Sequence, residues 1–545
     1  MRYSIEANIV DVINRKIFPG EVQINGKRIV KVTSVHKNCK YFLIPGLIDA
    51  HIHIESSMLI PSEFARLAVM HGTIATVSDP HEIANVLGIE GIKFMHNNGQ
   101  KIPFKFYFGA PSCVPATNFE TSGSRIDTQQ IKDLFLNYKF KFLAEVMNFP
   151  GVINNDKNVI DKIELAKKLN RQIDGHAPGL TGANLQKYLS YGITTDHETQ
   201  TIDEGREKLK LGLKLLIREG SAAKNFDELI PLIKEFPERI MMCTDDLHPD
   251  DLIDGHINRL IKRGIDAGYD FFDMLRSATL NPLQHYNLET GILRENDPAD
   301  LVLIDNPKSF KVISTFVDGE KVFENPKTKI DHIKEHPINN FSCDRIKQGQ
   351  LKITAKSNKI TGIEAFDGQL FTKKRIFDAR IKNGEVLSDI EKDILKIVVY
   401  NRYNKTNPSV AFIKGLGLKN GAIASTIAHD SHNIIAAGVN DEDIANAINR
   451  LIELKGGILV TENEKYDEIQ LEIAGLLTQN DGKEIASKYK KLNQLVRSMG
   501  STLNAPFMTI SFMALLVIPE IKLSDMGLFD VRKFKIIDMF DKEIN

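Results

Sequence analysis

The stretch Pro45-Gly-Leu-Ile-Asp-Ala-His-Ile-His53 places two histidines, His51 and His53, at the end of a short apolar segment. Alternate side chains of a β-strand share a face, so both imidazoles can reach one metal ion if the segment is a strand. Taken alone, the pair is equally consistent with two histidines on a partly exposed strand. A metal site therefore needs further donors elsewhere in the chain.

Other potential metal donors occupy the same kind of position in the sequence. Each follows a short apolar or β-branched run and precedes turn residues: Glu145, His176, His197 and Asp245. In a (β/α)8 barrel the C-terminal ends of the strands carry the active site. Helical spacing at 62–71 and 158–169 alternates with strand-like runs at 73–78 and 104–109, which favours such a parallel barrel.

Length and composition predict a soluble protein of several domains. The chain has 545 residues, of which 42% are hydrophobic and 26% charged, values typical of globular proteins. Its 70 Lys and Arg residues nearly balance 71 Asp and Glu residues, which argues against nucleic acid as a partner. Four scattered cysteines suggest no disulfide framework, and no apolar run reaches the ~20 residues that span a bilayer. We expect a cytoplasmic protein with no membrane partner.

Strand-like patterns flank the predicted barrel on both sides. An Asn25-Gly26 hairpin signal lies in the first flank, and a turn at Asp318-Gly319 lies in the second. We predict a small composite β-sandwich from residues 1–45 and 297–340, with the (β/α)8 TIM-like barrel of residues 46–296 inserted between its halves. Strand-rich and then helical sequence predicts an α+β domain over residues 341–545.

Longer motifs carry a resemblance to a known family. They are Pro45-Gly-Leu-Ile-Asp-Ala-His-Ile-His-Ile-Glu-Ser-Ser-Met58, Ser78-Asp-Pro-His-Glu-Ile-Ala-Asn-Val86, Arg218-Glu-Gly-Ser-Ala-Ala-Lys224, Cys243-Thr-Asp-Asp-Leu-His-Pro249 and His429-Asp-Ser-His-Asn433. Together they resemble the bacterial-type adenine deaminases of the amidohydrolase superfamily, over nearly the whole chain. The resemblance implies hydrolysis of adenine to hypoxanthine and ammonia in purine salvage, with adenine as the small-molecule substrate.

The resemblance also implies a binuclear metal centre. Its ligands would be His51, His53, Glu145, His176, His197 and Asp245, with Glu145 as the bridging carboxylate in place of the carbamylated lysine of many relatives. Two divalent ions can share one water and lower its pKa, and the resulting bridging hydroxide would attack C6 of adenine. Imidazole and carboxylate ligands suit Mn²⁺, Fe²⁺ or Zn²⁺. The resemblance favours manganese or iron.

Two acidic residues are candidates for moving protons. We expect Asp245 to take the proton of the hydroxide, and Glu198 to deliver a proton to the purine ring. Glu198 is as readily interpreted as an acid that only supports a neighbouring ligand.

Several polar residues are candidates for contacting the substrate. These are His81, Glu219, Ser221 and His248, each with a structural role as the alternative. His429-Asp-Ser-His432 can bind a metal, although hydrogen-bonded histidines at a domain interface are the simpler interpretation. The same segment would then close over the barrel mouth.

Two other functions stay open from the sequence. The same metal centre could serve a cyclic-amide hydrolase of the dihydroorotase or hydantoinase kind, although a bridging glutamate and the long C-terminal domain favour adenine. A barrel without catalysis could act as a scaffold, although such proteins usually lose metal ligands. We expect a homo-oligomer, a dimer or higher.

Overall fold

The first strands of the chain form because apolar and polar residues alternate around tight turns. In the computed structural model, which describes residues 2–540, the hairpin of β1 and β2 buries Ala7, Ile9, Val22 and Ile24 on one face. This alternation is that of a sheet with one buried side. The strands are β1 (Arg2–Asp11), β2 (Lys16–Asn25), β3 (Arg28–Ser34) and β4 (Phe42–Pro45).

Eight parallel strands then close into a barrel surrounded by helices. Hydrogen bonds connect Ala110 to Phe142 and Thr194 to Ile173, and Asp245 N donates to His51 O at 2.9 Å, which joins the last strand to the first. The strands are β5 (Leu47–Ile52), β6 (Thr73–Ser78), β7 (Lys105–Phe108), β8 (Phe142–Val146), β9 (Gln172–Gly175), β10 (Thr195–Asp196), β11 (Lys214–Arg218) and β12 (Ile240–Cys243). All of the residues of β5, β6, β8 and β12 are buried, as parallel strands covered on both faces require.

The helices of this region follow the strands in chain order. They are α1 (Pro61–Ala68), α2 (His81–Leu87), α3 (Ile89–Gly99), α4 (Thr128–Asn137), α5 (Phe149–Ile153), α6 (Lys157–Lys168), α7 (Gly182–Ser190), α8 (Ile202–Lys210), α9 (Phe226–Leu229), α10 (Pro249–Asp254), α11 (Ile257–Asp266), α12 (Phe271–Ser277) and α13 (Leu280–Tyr286). Several begin at acidic or amide caps, such as Asp127, whose side chain accepts from Gln130 N in a capping box. Residues 158–169 and 73–78 form the predicted helix and strand almost to the residue.

Strands from both flanks of the barrel share one eight-stranded sheet. Its order is β16-β15-β14-β13-β4-β1-β2-β3, with β13 antiparallel to β4. The sheet is curled. The ring centroids of Tyr3 in β1 and Phe316 in β14 are only 6.2 Å apart, although two strands lie between β1 and β14. The later strands are β13 (Leu301–Ile304), β14 (Val312–Val317), β15 (Glu320–Glu324) and β16 (Lys327–Thr328). The domain limits at 45, 296 and 340 stay predictions.

A second eight-stranded sheet dominates the C-terminal region. Its order is β18-β17-β22-β21-β24-β23-β25-β26. Ala422 and Ala424 of β23 pack with the apolar face of α14, whereas Ile423 between them joins the core on the barrel side. On that side α15 packs against α10 and α1. The fold class predicted from the sequence, a barrel with a further α+β region, is confirmed.

The elements of this region complete the chain. They are β17 (Lys359–Glu364), β18 (Lys373–Asp378), β19 (Arg380–Lys382), β20 (Glu385–Leu387), β21 (Ile394–Tyr400), β22 (Ser409–Lys414), β23 (Ala422–Ser425), β24 (Ile434–Gly438), α14 (Asp441–Leu454), β25 (Gly457–Glu462), β26 (Lys465–Gln470), α15 (Gly482–Ser498), α16 (Pro506–Ser511), β27 (Ile521–Ser524), β28 (Gly527–Asp530) and β29 (Lys535–Ile537). None of the helices within residues 2–540 has the length and apolar character that a membrane span needs.

A buried lysine anchors the barrel beside β10. Lys208 of α8 is fully buried, and its Nζ donates to Asp196 Oδ2 at 2.9 Å, Glu204 Oε1 at 2.6 Å and Ala177 O at 2.7 Å. Burial raises the pKa of Asp196, but the Lys208 charge outweighs it and leaves that pKa at about 2. Asp196 immediately precedes His197, so this ion pair fixes the strand end that carries a candidate ligand.

We expect Lys208→Ala to lower the free energy of unfolding by about 3–5 kcal/mol, because it leaves the buried Asp196 carboxylate without its partner. Lys210→Ala, an exposed change on the same helix, should cost less than about 0.5 kcal/mol. Denaturant unfolding of the two variants checks the difference. Equal losses would mean that the Lys208 ion pairs contribute nothing specific.

Candidate metal centre

Six potential metal ligands converge at the C-terminal ends of the barrel strands. His51 is the penultimate residue of β5 and His53 directly follows that strand, Glu145 lies in β8, His176 and His197 come directly after β9 and β10, and Asp245 comes two residues after the end of β12. All are buried, with at most 6% of each residue exposed: His51, His53, Glu145, His176, His197 and Asp245. Their placement follows from the parallel barrel, which gathers the ends of separate strands at one face.

The Glu145 carboxylate lies between two pairs of imidazoles. Its Oε1 is 3.2 Å from His53 Nε2 and 4.0 Å from His51 Nε2, whereas its Oε2 is 2.6 Å from His176 Nδ1 and 3.3 Å from His197 Nε2. Each oxygen thus faces a different pair of histidines. This is the arrangement in which one carboxylate can bridge two cations.

Asp245 completes the group next to β5. Its Oδ1 lies 3.4 Å from His51 Nε2 and 3.2 Å from His53 Nε2. The backbone of Asp245 has a φ of 57°, in the left-handed region, and its carbonyl accepts from His53 N at 3.1 Å. The strand pairing that closes the barrel therefore also positions this carboxylate.

The donor set fits divalent cations. Both His51 Nε2 and His176 Nε2 are buried without a hydrogen-bond partner, and leaving such atoms unpaired is costly. His53 Nδ1 contacts Asp79 O at 3.1 Å, which leaves Nε2 directed at the carboxylates. Lys141 cannot bridge these ligands, because its Nζ pairs with Glu289 at 3.2 Å, away from them.

Strong electrostatic coupling keeps the carboxylates ionised. Burial raises the pKa of Glu145, but the charges of His176 and His197 outweigh it and hold that pKa well below its usual range. For Asp245, burial is likewise outweighed by the Arg218 charge and by the nearby imidazoles of His51 and His53, so that its pKa is also well below normal. Ionised carboxylates are the form that binds metal.

Comparison with known proteins identifies the family. A model of the amidohydrolase family matches residues 42–322, and a model of the adenine deaminase C-terminal domain matches residues 369–535. Curated adenine deaminases of Methanosarcina mazei and of a Sulfurovum species are 50% and 51% identical to this chain, over 98% of it and 99% of each relative. The chain belongs to the adenine deaminase family.

One solved structure is similar to part of this chain. The beta-aspartyl dipeptidase of Fervidobacterium islandicum is 14% identical, covering 60% of this chain and 99% of that chain with a TM-score of 0.47. Amidohydrolases use divalent metal, and the buried His, Asp and Glu cluster of this family member provides donors for it.

The proton-transfer candidates Asp245 and Glu198 are held by one guanidinium group. Arg218, the last residue of β11, donates from Nη1 to both Glu198 Oε1 and Asp245 Oδ2, and from Nη2 to Glu198 Oε2 at 3.1 Å. Arg218 stands in one of the quoted family motifs, but it was not predicted to have a role in the site. Its position at a strand end was the available signal, since the six predicted ligands also lie at or near strand ends.

The four predicted substrate contacts divide into two groups. A small cavity lies over the metal-ligand cluster, and five of the six ligands line it. His81 also lines this cavity, with Nδ1 3.6 Å from Glu145 Oε1. Glu219 does not reach it: its carboxylate pairs with Arg263 at 2.8 Å and Lys224 at 3.6 Å, beside a separate cavity of about 350 Å³.

Ser221 and His248 also lie away from the six ligands. Ser221 Oγ donates to Asp251 at 2.6 Å and accepts from His248 N at 2.9 Å, whereas the His248 ring packs on Tyr489. Both the Glu219 and the Ser221 side chain are used in holding the loop after β11 and do not line the cavity. Their contact with the purine stays a prediction from the sequence. His248 is buried behind the cavity and does not line it.

The cavity is closed by the C-terminal region. Apolar side chains from this region lie opposite the ligands: Leu370, Phe512, Leu515 and Ile518. His429 and Asp430 also line it, and Phe512 stacks on His429 at 4.3 Å. Within the apolar run of residues 505–518, α16 and a 3₁₀ turn cover the centre. The apolar run indicates burial, but it does not indicate that this segment covers the ligands.

We expect Glu145→Gln to lower the metal content of the purified protein, because a neutral amide cannot bridge two cations as the carboxylate can. Inductively coupled plasma mass spectrometry gives the number of metal ions per chain. Glu289→Gln, an exposed change at the other end of the barrel, is the control and should keep the wild-type content. Full occupancy together with full activity in Glu145→Gln would show that Glu145 is not the bridge.

Proposed function

We propose that this chain catalyses the hydrolytic deamination of adenine to hypoxanthine and ammonia. The observation that carries the proposal is the Glu145 carboxylate between two histidine pairs, in a chain that matches adenine deaminases over nearly its whole length. The relatives bear that name, and the C-terminal region that matches them also covers the cavity. The reaction serves purine salvage.

The six converging residues would hold two divalent cations, His51, His53 and Asp245 on one side of Glu145, and His176 and His197 on the other. Such cations supply Lewis acidity that brings the pKa of water from about 15.7 toward neutrality. Imidazole and carboxylate donors without thiolate suit manganese or iron, with zinc as the third candidate. Manganese or iron is our choice from the family resemblance.

The remaining chemistry is proton movement by this chain's own side chains. Water oxygen adds to C6, and we assign to Asp245 the removal of a water proton. Glu198 would deliver a proton to N1, and Asp245 would pass the water proton to the amino group, which leaves as ammonia. The proton of the added hydroxyl would return to Glu198 as the C6 carbonyl forms. Because Arg218 contacts both carboxylates, it holds the two groups on the same side of the bound base.

Access to this cavity requires movement of two apolar side chains. The cavity itself has a free volume of about 30 Å³, room for roughly one or two water molecules. A neighbouring cavity of about 230 Å³ shares Glu198, Leu370 and Ile518 with it. We assign the substrate route to this second cavity, with Leu370 and Ile518 moving apart as adenine enters.

We expect Asp245→Asn to lower turnover of adenine by at least about 100-fold, because an amide cannot accept the water proton. Steady-state ammonia release measures the effect. Asp254→Asn makes the same change at an exposed position of α10, and it should leave turnover unchanged. Near-normal turnover in Asp245→Asn would refute its role as a base.

A panel of adenine, adenosine, cytosine and dihydroorotate tests the proposed substrate on protein whose metals have been counted. We expect ammonia release from adenine above all. Hydrolysis of dihydroorotate without deamination of adenine would favour the cyclic-amide hydrolase. Protein that binds no metal after reconstitution and turns over nothing would favour the scaffold. Homo-oligomerisation and a cytoplasmic location stay predictions from the sequence.

A further inference from the structure

A second group of buried polar side chains lies next to the six ligands, and part of it lines the same cavity. Its members come from four separate parts of the chain. The carboxylates and the hydroxyl belong to the barrel, and two of the three histidines belong to the loop between β23 and β24. They are Glu55, Ser56, Glu82, Asp246, His248, His429 and His432. All but the partly buried Asp246 are at most 5% exposed.

Unpaired polar atoms are concentrated in this group. Glu55 Oε2, Glu82 Oε2, His248 Nδ1 and His432 Nε2 are buried, and each has no hydrogen-bond partner among the described residues. Leaving such an atom buried without a partner destabilises the folded protein. Four of them in one place indicate that the native protein holds a group there that interacts with both carboxylate and imidazole. A cation is the group that accepts electron pairs from both.

Three of these side chains have the spacing of ligands around one ion. Glu82 Oε1 is 3.3 Å from His429 Nδ1, and Glu82 Oε2 is 3.9 Å from His432 Nε2. One donor atom from each residue falls within a set whose members are all within 4.8 Å of one another. Ligands at about 2.1 Å from a tetrahedral or octahedral ion are separated by about 3.0–3.4 Å. Small side-chain rotations therefore bring all three donors onto one ion.

One contact competes with ligation by His432. The Ala428 backbone N–H points at His432 Nδ1 from 3.3 Å, beyond the usual 2.7–3.2 Å of such hydrogen bonds. When Nε2 binds a cation, the imidazole proton resides on Nδ1 and this weak contact is lost. A long hydrogen bond of this kind contributes about 1 kcal/mol or less, which ligation of a divalent ion exceeds.

We propose that Glu82, His429 and His432 form a divalent-cation site separate from the six ligands of the barrel. Two imidazoles and one carboxylate suit Mn²⁺, Fe²⁺ or Zn²⁺. Glu55 and Asp246 place two further carboxyl groups around it, and Ser56 connects Asp246 to Glu82, since its Oγ lies 3.4 Å from Glu82 Oε1 and donates to Asp246.

The alternative to this site is a simple ion pair. A protonated His429 beside Glu82 would satisfy those two side chains, but it leaves His432 Nε2 and Glu55 Oε2 unpartnered. The cation accounts for His432 as well and supplies charge for Glu55. Because Glu82 belongs to α2 and the two histidines belong to the C-terminal region, the ion would also clip that region onto the barrel beside the cavity.

Crystals of the wild-type protein grown with Mn²⁺ give the direct test. An anomalous difference map recorded at the manganese absorption edge should contain a peak between Glu82, His429 and His432, apart from any peak at Glu145. Manganese peaks at the barrel ligands alone would overturn the proposal. The map does not depend on whether adenine is turned over, so this outcome is distinct from a failure of the proposed function.

Metal counting on variants gives a second test in solution. His429→Asn, His432→Asn and Glu82→Gln, dialysed against Mn²⁺, should each bind about one ion fewer per chain than the wild type. His285→Asn removes a buried histidine near Thr194, at the opposite end of the barrel, and should keep the full count. Mn²⁺ should also raise the Tm of the wild type more than that of the three variants. Unchanged counts in folded variants would contradict the site.

Discussion

The site depends on burying one negative carboxylate, Glu145, among imidazoles. An isolated carboxylate in the interior is costly, and here the cost is offset because both of its oxygens face histidines that end different strands. The histidine side chains must therefore stay in place, because the Glu145 charge is less well compensated when any one of them moves away. The barrel supplies this rigidity by closing at Asp245, whose backbone pairs with His51 and His53. The hydrogen bonds that close the barrel thus also determine where these ligands lie.

Much of this centre is predictable from the sequence because strand ends in a parallel barrel meet at one face. His51, His53, Glu145, His176, His197 and Asp245 each follow a short apolar run, and that local pattern determines where they go. The run of residues 73–78 likewise became β6 without change. By contrast, the alternating run of residues 351–355, in the part of the C-terminal region predicted to be rich in strands, is a 3₁₀ turn and an irregular segment with one bridge, Thr354 to Glu385. A run of five alternating residues is too short to determine pairing when the neighbouring strands are already paired.

What the sequence could not provide is the choice of partner for each polar side chain. Glu219 and Ser221 stand one and three residues after Arg218, yet only Arg218 faces the ligands. The direction of these side chains is determined by Arg263 and Asp251, which lie about 30 to 45 residues further along the chain. The apolar wall of Leu370, Phe512, Leu515 and Ile518 was equally hidden, because its role follows from the docking of a separate region. Local patterns predict where a strand ends, whereas tertiary packing determines which way the following side chains point and which partners they contact.

The composite sheet has a consequence for how the chain is made. Strand β4 ends at Pro45, but its partner β13 begins only at Leu301. At roughly 5–20 residues per second of synthesis, β4 leaves the ribosome tens of seconds before β13 does. During that time the edge of β4 is unpaired, and unpaired edges attract other strands. The two flanks of the sheet can therefore pair only after the whole barrel sequence between them has been synthesised.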